Sequence, residues 1–202
     1  MTAGVIDIGS NSIKLLIGET TEADIMILEA LKNIAPIGRS TFLKGYISQE
    51  PINLTINILE KYKKILNEYQ VKQVFVIATT AVREAANRNI FVDTVRRKTG
   101  FEIEVLNVGD IVYYIDAYIS YKLKDTYPIH NKNLLICEMG AGSVDVSLLK
   151  KGFTVMNAGL ALGSLRFRQL VGKIAGSKEE TTEALQEYIE NEFSYLKRRM
   201  PR

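Results

Sequence analysis

The feature that most constrains the fold of this chain is a strand–turn–strand pattern that occurs twice. The segment "VIDIGSNSIKLL", residues 5–16, is an apolar strand that breaks at an acid and a glycine, crosses Ser-Asn-Ser and becomes apolar again. The segment "ICEMGAGSVDVSLL", residues 136–149, repeats this order at a constant offset of 131 residues. Two copies of so unusual a turn predict two halves of one molecule that face the same ligand.

The positions that match between the two copies carry chemically useful groups. At this offset four pairs of residues coincide: Asp7 with Glu138, Gly9 with Gly140, Ser12 with Ser143, and Lys14 with Asp145. A tight glycine-containing hairpin turn directs several backbone N–H groups to one side, where they can bind an anion. A carboxylate repels a bare phosphate, but a divalent cation that bridges the two groups removes the conflict. The paired turns therefore predict a metal–phosphate site, although one such turn alone is ordinary hairpin chemistry.

Charge and composition exclude few classes of protein. The 202 residues suffice for one large domain or two small ones. The net charge of +3, from 26 basic and 23 acidic residues, is too small to indicate nucleic-acid binding. No apolar stretch approaches the ~20 residues of a membrane span, and the N-terminus lacks a basic segment followed by a cleavage site. We therefore expect a cytoplasmic protein that binds neither nucleic acid nor membrane.

Cysteine and histidine are too rare to build a site on. Cys137 is the single cysteine, so an internal disulfide is impossible, and its apolar surroundings predict a buried small side chain. His130 is the single histidine and lies in the polar loop "YPIHNKN", with no second His or Cys at ligand spacing. A zinc site or a Cys–His catalytic pair is therefore not expected.

Hydrophobic periodicity gives two successions of strands followed by helices. The first predicts strands at 3–8, 12–19 and 24–34, a turn-rich loop at 35–48, a helix capped by Ser48, a buried strand at 72–79, a helix at 80–100 interrupted near Asn87, a strand at 101–106 and a helix at 109–123. The second predicts strands at 133–139, 143–150 and 153–159 and helices at 164–174 and 177–200, the last with a Ser-x-x-Glu capping box. This order predicts an α/β fold of two duplicated domains, 1–123 and 124–202.

Several longer blocks carry a family resemblance. The chain reads "IDIGSNSIKLLIGE", "IATTAVREAANRNIF", "TGFEIEVL", "EMGAGSVDVSLL" and "LALGSLRF" in this order. In these blocks it resembles the exopolyphosphatase / guanosine pentaphosphate phosphohydrolase (Ppx/GppA) family of the actin-like ATPase superfamily. The resemblance implies duplicated ribonuclease H-like (actin-like ATPase) domains with mixed sheets. It also implies that residues 124–202 form an incomplete second domain, whose exposed apolar faces a homodimer would cover.

The resemblance implies an activity and a set of site residues. The activity is removal of the terminal phosphate from inorganic polyphosphate or guanosine pentaphosphate by Mg²⁺-assisted attack of water. Asp110 would be the catalytic base, and Arg83 would bind phosphate oxygens in a bidentate manner. The phosphate-binding residues would be Gly9, Asn11, Ser12, Lys14, Gly140, Gly142 and Ser143. The ligands of Mg²⁺, or of another divalent cation, would be Asp7, Glu138 and Asp145.

Without the family, Arg83 would be interpreted as a surface arginine of a helix, paired with a nearby acid.

The acidic residues of the predicted site depart from the family pattern. In the helix-start motif Ser-Gly-x-Glu-Glu-Ala-Arg, Asp110 falls on the first Glu, but Ile111 and Tyr113 replace the second Glu and the Arg. In the second turn, Asp-x-Gly-Gly-Gly-Ser-Thr-Glu becomes "EMGAGSVD", residues 138–145, so Asp and Glu are exchanged at both acidic positions of the turn. Together with Asp110, all three acidic positions keep an acid but exchange Asp and Glu. Misplacing a reacting group by ~1 Å costs about 10²-fold in rate. Ala141 adds strain if the turn needs a positive φ there.

Two hypotheses follow from these departures. Either the site is re-optimised as a set and the chain is an active phosphohydrolase, which we favour, or the chain is a weak or inactive member that serves as a polyphosphate- or alarmone-binding regulatory module. A sugar kinase or ATPase of the same superfamily would need an adenosine-binding glycine-rich segment, which the 202 residues do not contain. A structural scaffold would leave the paired acidic turns unexplained.

Overall fold

The computed structural model of the chain describes residues 1–22, 24–123, 131–174 and 176–200. The described chain divides into two compact units, Met1–Val105 and Leu106–Arg202. His130 lies outside the described residues, as does most of the loop around it. Among the described residues, no helix is both long and apolar enough to cross a membrane.

The first unit is built on a five-stranded mixed sheet. Its elements are β1 (Thr2–Ile8), β2 (Ser12–Thr20), β3 (Ile25–Ile34), α1 (Ile37–Lys44), α2 (Gln49–Glu68), β4 (Gln73–Ala78), α3 (Thr80–Arg83), α4 (Arg88–Thr99) and β5 (Glu104–Val105). The strands lie in the order β3-β2-β1-β4-β5. The three strands of the predicted meander pair antiparallel, whereas β4 lies parallel to β1 and to β5. The prediction of a mixed sheet is confirmed.

Alternation of side chains along the strands gives this sheet an inner and an outer face. Ile6 and Leu15 are opposite each other on β1 and β2 and are buried on the inner face. They belong to the main hydrophobic core together with Leu59 and Tyr62 of α2. The Tyr62 hydroxyl donates a hydrogen bond to the carbonyl of Ile13 at 2.9 Å, and burial raises the pKa of this tyrosine.

The prediction of a loop at 35–48 is wrong, because helix α1 (Ile37–Lys44) lies within this segment. Gly, Ser and Thr are poor helix formers, so local propensity does not favour this helix. Four of its residues are nevertheless buried: Ile37, Gly38, Ser40 and Thr41. Tertiary packing therefore stabilises α1 against its own propensity. The helix ends at Gly45, whose φ of 81° is the left-handed conformation that glycine adopts most readily.

Other predictions for the first unit are confirmed with adjustments. The helical segment is interrupted near Asn87, since α3 ends at Arg83 and α4 begins at Arg88. The strand expected at 101–106 is reduced to two residues, because only these pair with β4 at the edge of the sheet. Ser48 occupies the N-cap position of α2, but its side chain makes no capping hydrogen bond.

The second unit is a three-stranded antiparallel sheet with three helices among its described residues. Its elements are α5 (Val108–Leu123), β6 (Asn133–Met139), β7 (Val144–Lys150), β8 (Phe153–Leu160), α6 (Ser164–Val171) and α7 (Lys178–Arg199), and the strand order is β6-β7-β8. Helix α5 packs on β7 and β8. The capping box of α7 is confirmed: Glu180 N–H donates to Ser177 Oγ at 3.2 Å, and Ser177 N–H donates to Glu180 Oε2 at 2.7 Å.

Two features of the second unit differ from expectation. Cys137 was expected to be buried, but it is exposed. It lies on β6, an edge strand of a three-stranded sheet, and most side chains of this strand are exposed or only half-buried. Helix α5, which the sequence division at 123 assigned to the first domain, belongs to the second compact unit. The domain boundary proposed from the sequence stays a prediction.

Candidate functional site

The first predicted turn is a closed hairpin at the end of β1. Gly9 N–H donates to the carbonyl of Ser12 at 3.0 Å. Asp7 and Lys14 are partners across the two strands, and Lys14 Nζ lies 3.3 Å from Asp7 Oδ2. Asp7 Oδ1 would be 4.0 Å from a Cβ on Gly9, so this carboxylate lies beside the turn. An acid and a cation thus flank the backbone of the turn on the outer face of the sheet.

The second turn repeats this geometry at the matching residues. Gly140 N–H donates to the carbonyl of Ser143 at 2.9 Å. Glu138 and Asp145 are partners across β6 and β7, as Asp7 and Lys14 are in the first unit. Glu138 Oε2 would be 3.8 Å from a Cβ on Gly140. The internal duplication predicted from the sequence is therefore present in the structure. The two turns share the same backbone hydrogen bond, the same strand pairing and a carboxylate at the same position.

In both units a helix begins directly against the turn. Gly38 N–H donates to the carbonyl of Ser10 at 2.7 Å, and Leu165 N–H donates to the carbonyl of Ala141 at 2.9 Å. Ser10 and Ala141 are matching residues at the same offset of 131. The repeated unit is therefore three strands and a helix, with α1 as the counterpart of α6. The repeat itself is the signal that would have predicted α1, since α6 is evident from the sequence.

The carbonyls of the turns are used for internal contacts. Ala35 N–H donates to the carbonyl of Asn11 at 3.0 Å. In the second unit, Arg166 Nε donates to the carbonyl of Gly142 at 2.9 Å. A Cβ on Gly163 would lie 2.3 Å from the carbonyl carbon of Gly142, so only glycine permits this approach. These contacts fix both turns, and neither Arg166 nor Gly163 was among the site residues predicted from sequence.

The backbone conformation removes one argument against activity. Among the described residues, Gln70 and Lys151 are the non-glycine residues with positive φ, so Ala141 is not one of them. Alanine replaces glycine at this position without backbone strain. The Ala141 departure from the family pattern therefore does not indicate a damaged turn.

Asp145 is the most deeply placed carboxylate of the predicted metal ligands. Its residue is 4% exposed, and Ser143 Oγ donates to its Oδ2 at 3.1 Å. Across β8 it faces Gly159, where an added Cβ would lie 3.0 Å from Asp145 Oδ1 and 3.0 Å from Val108 Cγ2. The carboxylate of Asp145 and the side chain of Val108, in the first turn of α5, thus both lie against Gly159. This arrangement places the helix that carries Asp110 beside the second turn.

Asp110 has a structural partner that the sequence interpretation missed. Asn107 N–H donates to Asp110 Oδ2 at 2.8 Å, and Asp110 N–H donates to Asn107 Oδ1 at 3.0 Å. This reciprocal pair caps the N-terminus of α5. The spacing Asn-x-x-Asp is a signal that the sequence contained. One oxygen of the predicted base is therefore engaged in holding its own helix.

A second missed residue, Asp116, fastens α5 to the sheet. Its Oδ1 accepts a hydrogen bond from Ser147 Oγ of β7 at 3.0 Å, and its Oδ2 accepts one from Thr154 Oγ1 of β8. Hydrogen bonds to a charged acceptor are stronger than those between neutral groups. No local sequence pattern joins these three residues, because the contact depends on the tertiary packing of the helix.

Arg83 lies at the same edge of the first sheet as the turn. Because β1 and β4 are parallel, their carboxyl ends coincide, and Thr79 N–H donates to the carbonyl of Ile8 at 3.2 Å. Helix α3 begins there, and Arg83 Nη2 donates to Thr80 Oγ1 at 3.3 Å. The side chain of Asn87 bonds both backbone groups of Ile47, at 2.8 and 2.9 Å, and so holds the chain that follows α3.

Two groups of predicted residues are thus assembled, one in each unit. The first unit brings together Asp7, Gly9, Asn11, Ser12 and Lys14, with Arg83 at the same sheet edge. The second unit brings together Glu138, Gly140, Gly142, Ser143 and Asp145, with Asp110 in the neighbouring helix. Within either unit, the described residues form no group of three or more His, Cys, Asp or Glu side chains that could hold a metal ion.

Comparison with known proteins places the chain in a family. The model of the Ppx/GppA phosphatase family matches residues 16–202. This chain belongs to the Ppx/GppA phosphatase family. A curated relative of this Ppx/GppA chain, "Bifunctional 3-dehydroquinate synthase/phosphatase" of Fusobacterium nucleatum, is 27% identical over 203 residues, which cover 95% of the chain and 30% of the relative.

Solved structures of the Ppx/GppA family share the fold. The Aquifex aeolicus family member superposes with a TM-score of 0.75 at 26% identity, over 97% of this chain and 62% of that one. An exopolyphosphatase from Cytophaga hutchinsonii superposes with a TM-score of 0.83 at 22% identity, over 98% and 62% of the two chains. The predicted fold class is confirmed, and the chain spans 62% of the length of these solved relatives.

Proposed function

We propose that this Ppx/GppA chain is a phosphohydrolase that removes the terminal phosphate from inorganic polyphosphate or guanosine pentaphosphate by attack of water. One observation carries the proposal: the two acidic turns have the same internal hydrogen bond, Gly9 N–H to Ser12 at 3.0 Å and Gly140 N–H to Ser143 at 2.9 Å. A duplicated anion-binding turn with a carboxylate beside it suits a chain of phosphates and a cation.

The first unit supplies groups suited to binding phosphate. Lys14 is 56% exposed at its side chain and stands beside the turn, where it can neutralise phosphate oxygens. Arg83 lies at the same edge and presents a guanidinium, which matches the geometry of a phosphate group. These residues would hold the substrate, and charge neutralisation would favour the transition state of phosphoryl transfer.

The second unit supplies groups that fit a divalent cation. Glu138 and Asp145 stand opposite each other, and Ser143 Oγ donates to Asp145 and so orients its carboxylate. Mg²⁺ is usually bound by one or two protein carboxylates together with water and substrate phosphates, so two acids suffice. When bound, Mg²⁺ would offset the charge of the phosphoryl oxygens. Asp7 holds the matching position beside the first turn.

Asp110 would accept the proton of the attacking water. A carboxylate has two oxygens, and the bond from Asn107 N–H engages Oδ2. General-base catalysis contributes about 10²–10⁴-fold to a rate. The hydrogen bond from Asn107 to Asp110 also supports a second candidate function, a phosphate-binding module without turnover. Capping of α5 is by itself a sufficient structural reason for an acid at position 110.

Phosphate release from long-chain polyphosphate with Mg²⁺ separates the two functions. We expect turnover by the wild type and a loss of at least a hundredfold in Asp110→Asn, which retains an oxygen to accept from Asn107 but is no longer a base. Guanosine pentaphosphate is assayed in parallel to identify the preferred substrate. If neither protein releases phosphate while polyphosphate still binds, the chain is a phosphate-binding module and the hydrolase proposal fails.

A further inference from the structure

The first N–H groups of helix α6 are bonded to the second turn. Ser164 N–H donates to the carbonyl of Gly140 at 3.1 Å, and Leu165 N–H donates to the carbonyl of Ala141 at 2.9 Å. The N–H groups at the start of a helix have no partner within the helix itself. In α6 the carbonyls of the turn are these partners. The start of α6 therefore orients the turn and is not itself the place where an anion binds.

The next carbonyl of the turn is held by a side chain. Arg166, the third residue of α6, is half-buried, and its Nε donates to the carbonyl of Gly142 at 2.9 Å. In the first unit the matching carbonyl, that of Asn11, accepts instead from the backbone N–H of Ala35 at 3.0 Å. The two turns are thus fixed at the same point by different means. At this point a side-chain substitution can remove the donor in the second turn, whereas in the first turn the donor is backbone.

The direction of the Gly142 carbonyl also sets the direction of the N–H that follows it. In a trans peptide unit the C=O and the N–H are held in one plane and point to opposite sides. Among the described residues, no peptide bond is cis. With the Gly142 carbonyl directed at α6, the N–H of Ser143 points away from α6. Glycine has the widest choice of backbone conformations, so the peptide after Gly142 has little orientation of its own, and the bond from Arg166 supplies it.

We propose that Arg166 is a positioning residue of the second turn, one that keeps the N–H of Ser143 directed at a phosphoryl oxygen of the substrate. The inference rests on the proposed phosphohydrolase function, and it adds a residue that does not itself contact the substrate. If the peptide between Gly142 and Ser143 turned over, a carbonyl oxygen would face the phosphate and repel it. Backbone N–H groups that are fixed in advance cost no reorganisation when charge develops on the reacting group.

Kinetics of phosphate release from long-chain polyphosphate test this role. Arg166→Met removes the Nε donor and keeps an unbranched side chain. Arg168→Met makes the same change at an exposed arginine of the same helix and is the matched control. Loss of one preorganised donor costs about 10²–10³-fold in kcat. We expect at least a tenfold fall in kcat for Arg166→Met with KM within a few-fold, wild-type constants for Arg168→Met, and an intermediate kcat for Arg166→Lys, whose ammonium also donates to a carbonyl.

NMR of the ¹⁵N-labelled chain measures the peptide orientation without turnover. The probe is inorganic phosphate, which is the product and is not consumed. We expect phosphate to shift the Ser143 amide resonance in the wild type and in Arg168→Met, and to shift it at least tenfold less in Arg166→Met at the same concentration. The remaining amide resonances of each variant verify that it is folded. Arg166→Lys, the milder change, should retain part of the shift.

The two measurements separate this inference from the proposed function. A Ser143 amide that responds to phosphate equally in Arg166→Met and in the wild type overturns the inference, even if the wild type releases phosphate from polyphosphate. The inference is also overturned if the wild-type Ser143 amide does not respond to phosphate. A wild type that releases no phosphate, but whose Ser143 shift is lost in Arg166→Met, supports the positioning role and contradicts only the hydrolase proposal.

Discussion

Asn107 and Asp110 bond each other reciprocally, at 2.8 Å from Asn107 N–H to Asp110 Oδ2 and at 3.0 Å from Asp110 N–H to Asn107 Oδ1. The residue that family resemblance identifies as the base is thus also half of a helix cap. Replacing Asp110 by alanine would remove both functions at once. The two roles are separable only when each partner of the pair is changed by itself.

The Asn107→Ala variant isolates the cap. It removes the side-chain acceptor for Asp110 N–H and is expected to lower the free energy of unfolding by about 1 kcal/mol. Phosphate release should stay within a few-fold of the wild type, because the Asp110 carboxylate remains. Urea unfolding and the phosphate assay on the same samples measure the two effects. A hundredfold loss of turnover in Asn107→Ala would show that the cap, and not proton transfer, is what the reaction requires.

The Gly163→Ala variant tests how tightly α6 begins against the second turn. Its Cβ would lie 2.3 Å from the Gly142 carbonyl carbon and 2.4 Å from the Ala141 carbonyl oxygen, which are backbone atoms that cannot rotate away. We expect a loss of about 1–3 kcal/mol in the free energy of unfolding. Gly172→Ala is the matched control, since it has a φ of −67° and its nearest contact would be 3.6 Å away. That control should gain about 0.4–1 kcal/mol. Equal stabilities of the two variants would contradict the close approach.

The Asp116→Ala variant tests the attachment of α5 to the sheet. It leaves the hydroxyls of Ser147 and Thr154 without their carboxylate acceptor and is expected to cost about 2 kcal/mol of unfolding free energy. A double-mutant cycle with Ser147→Ala should show a coupling of about 0.5–3 kcal/mol. Asp93→Ala, which breaks exposed ion pairs on α4, is a charge-matched control with a much smaller expected effect. Strict additivity in the cycle would refute a direct contact.

The Tyr62→Phe variant tests a pH dependence set by burial. Burial raises the pKa of Tyr62 above the ordinary tyrosine value of 10.0, so the folded state favours the neutral phenol. Its contribution to stability is complete below pH 10.0, where the unfolded chain is also neutral, and is lost as the pH rises through the folded pKa. Unfolding free energy of the wild type should therefore fall more steeply above pH 10 than that of Tyr62→Phe.

The stability of the same variant at neutral pH provides the reference for this pH profile. At neutral pH, Tyr62→Phe should cost about 1 kcal/mol, because it removes the donor to Ile13. Parallel alkaline profiles for the wild type and Tyr62→Phe would show that the hydroxyl is not sheltered from solvent in the folded chain.

The sequence by itself determined the features that depend on local order and on repetition. The acid–glycine turns at Asp7–Gly9 and Glu138–Gly140 were found by matching residues, and their common hydrogen bond follows from that match. Strands with a period of two and the capping box at Ser177 were also predicted, because neighbouring residues alone specify them. The Asn-x-x-Asp spacing of Asn107 and Asp110 is a local signal of the same kind, although the sequence analysis did not predict this helix cap.

Only the tertiary structure decided the features that depend on contacts distant in sequence. Helix α1 forms because its buried residues pack against the turn, although its Gly, Ser and Thr residues favour a loop. Asp116 binds Ser147 and Thr154 only because α5 lies across β7 and β8. Cys137 is exposed because β6 is an edge strand, which its apolar neighbours in sequence do not reveal. Local sequence specifies the backbone that each segment prefers, whereas burial depends on which other segment packs against it.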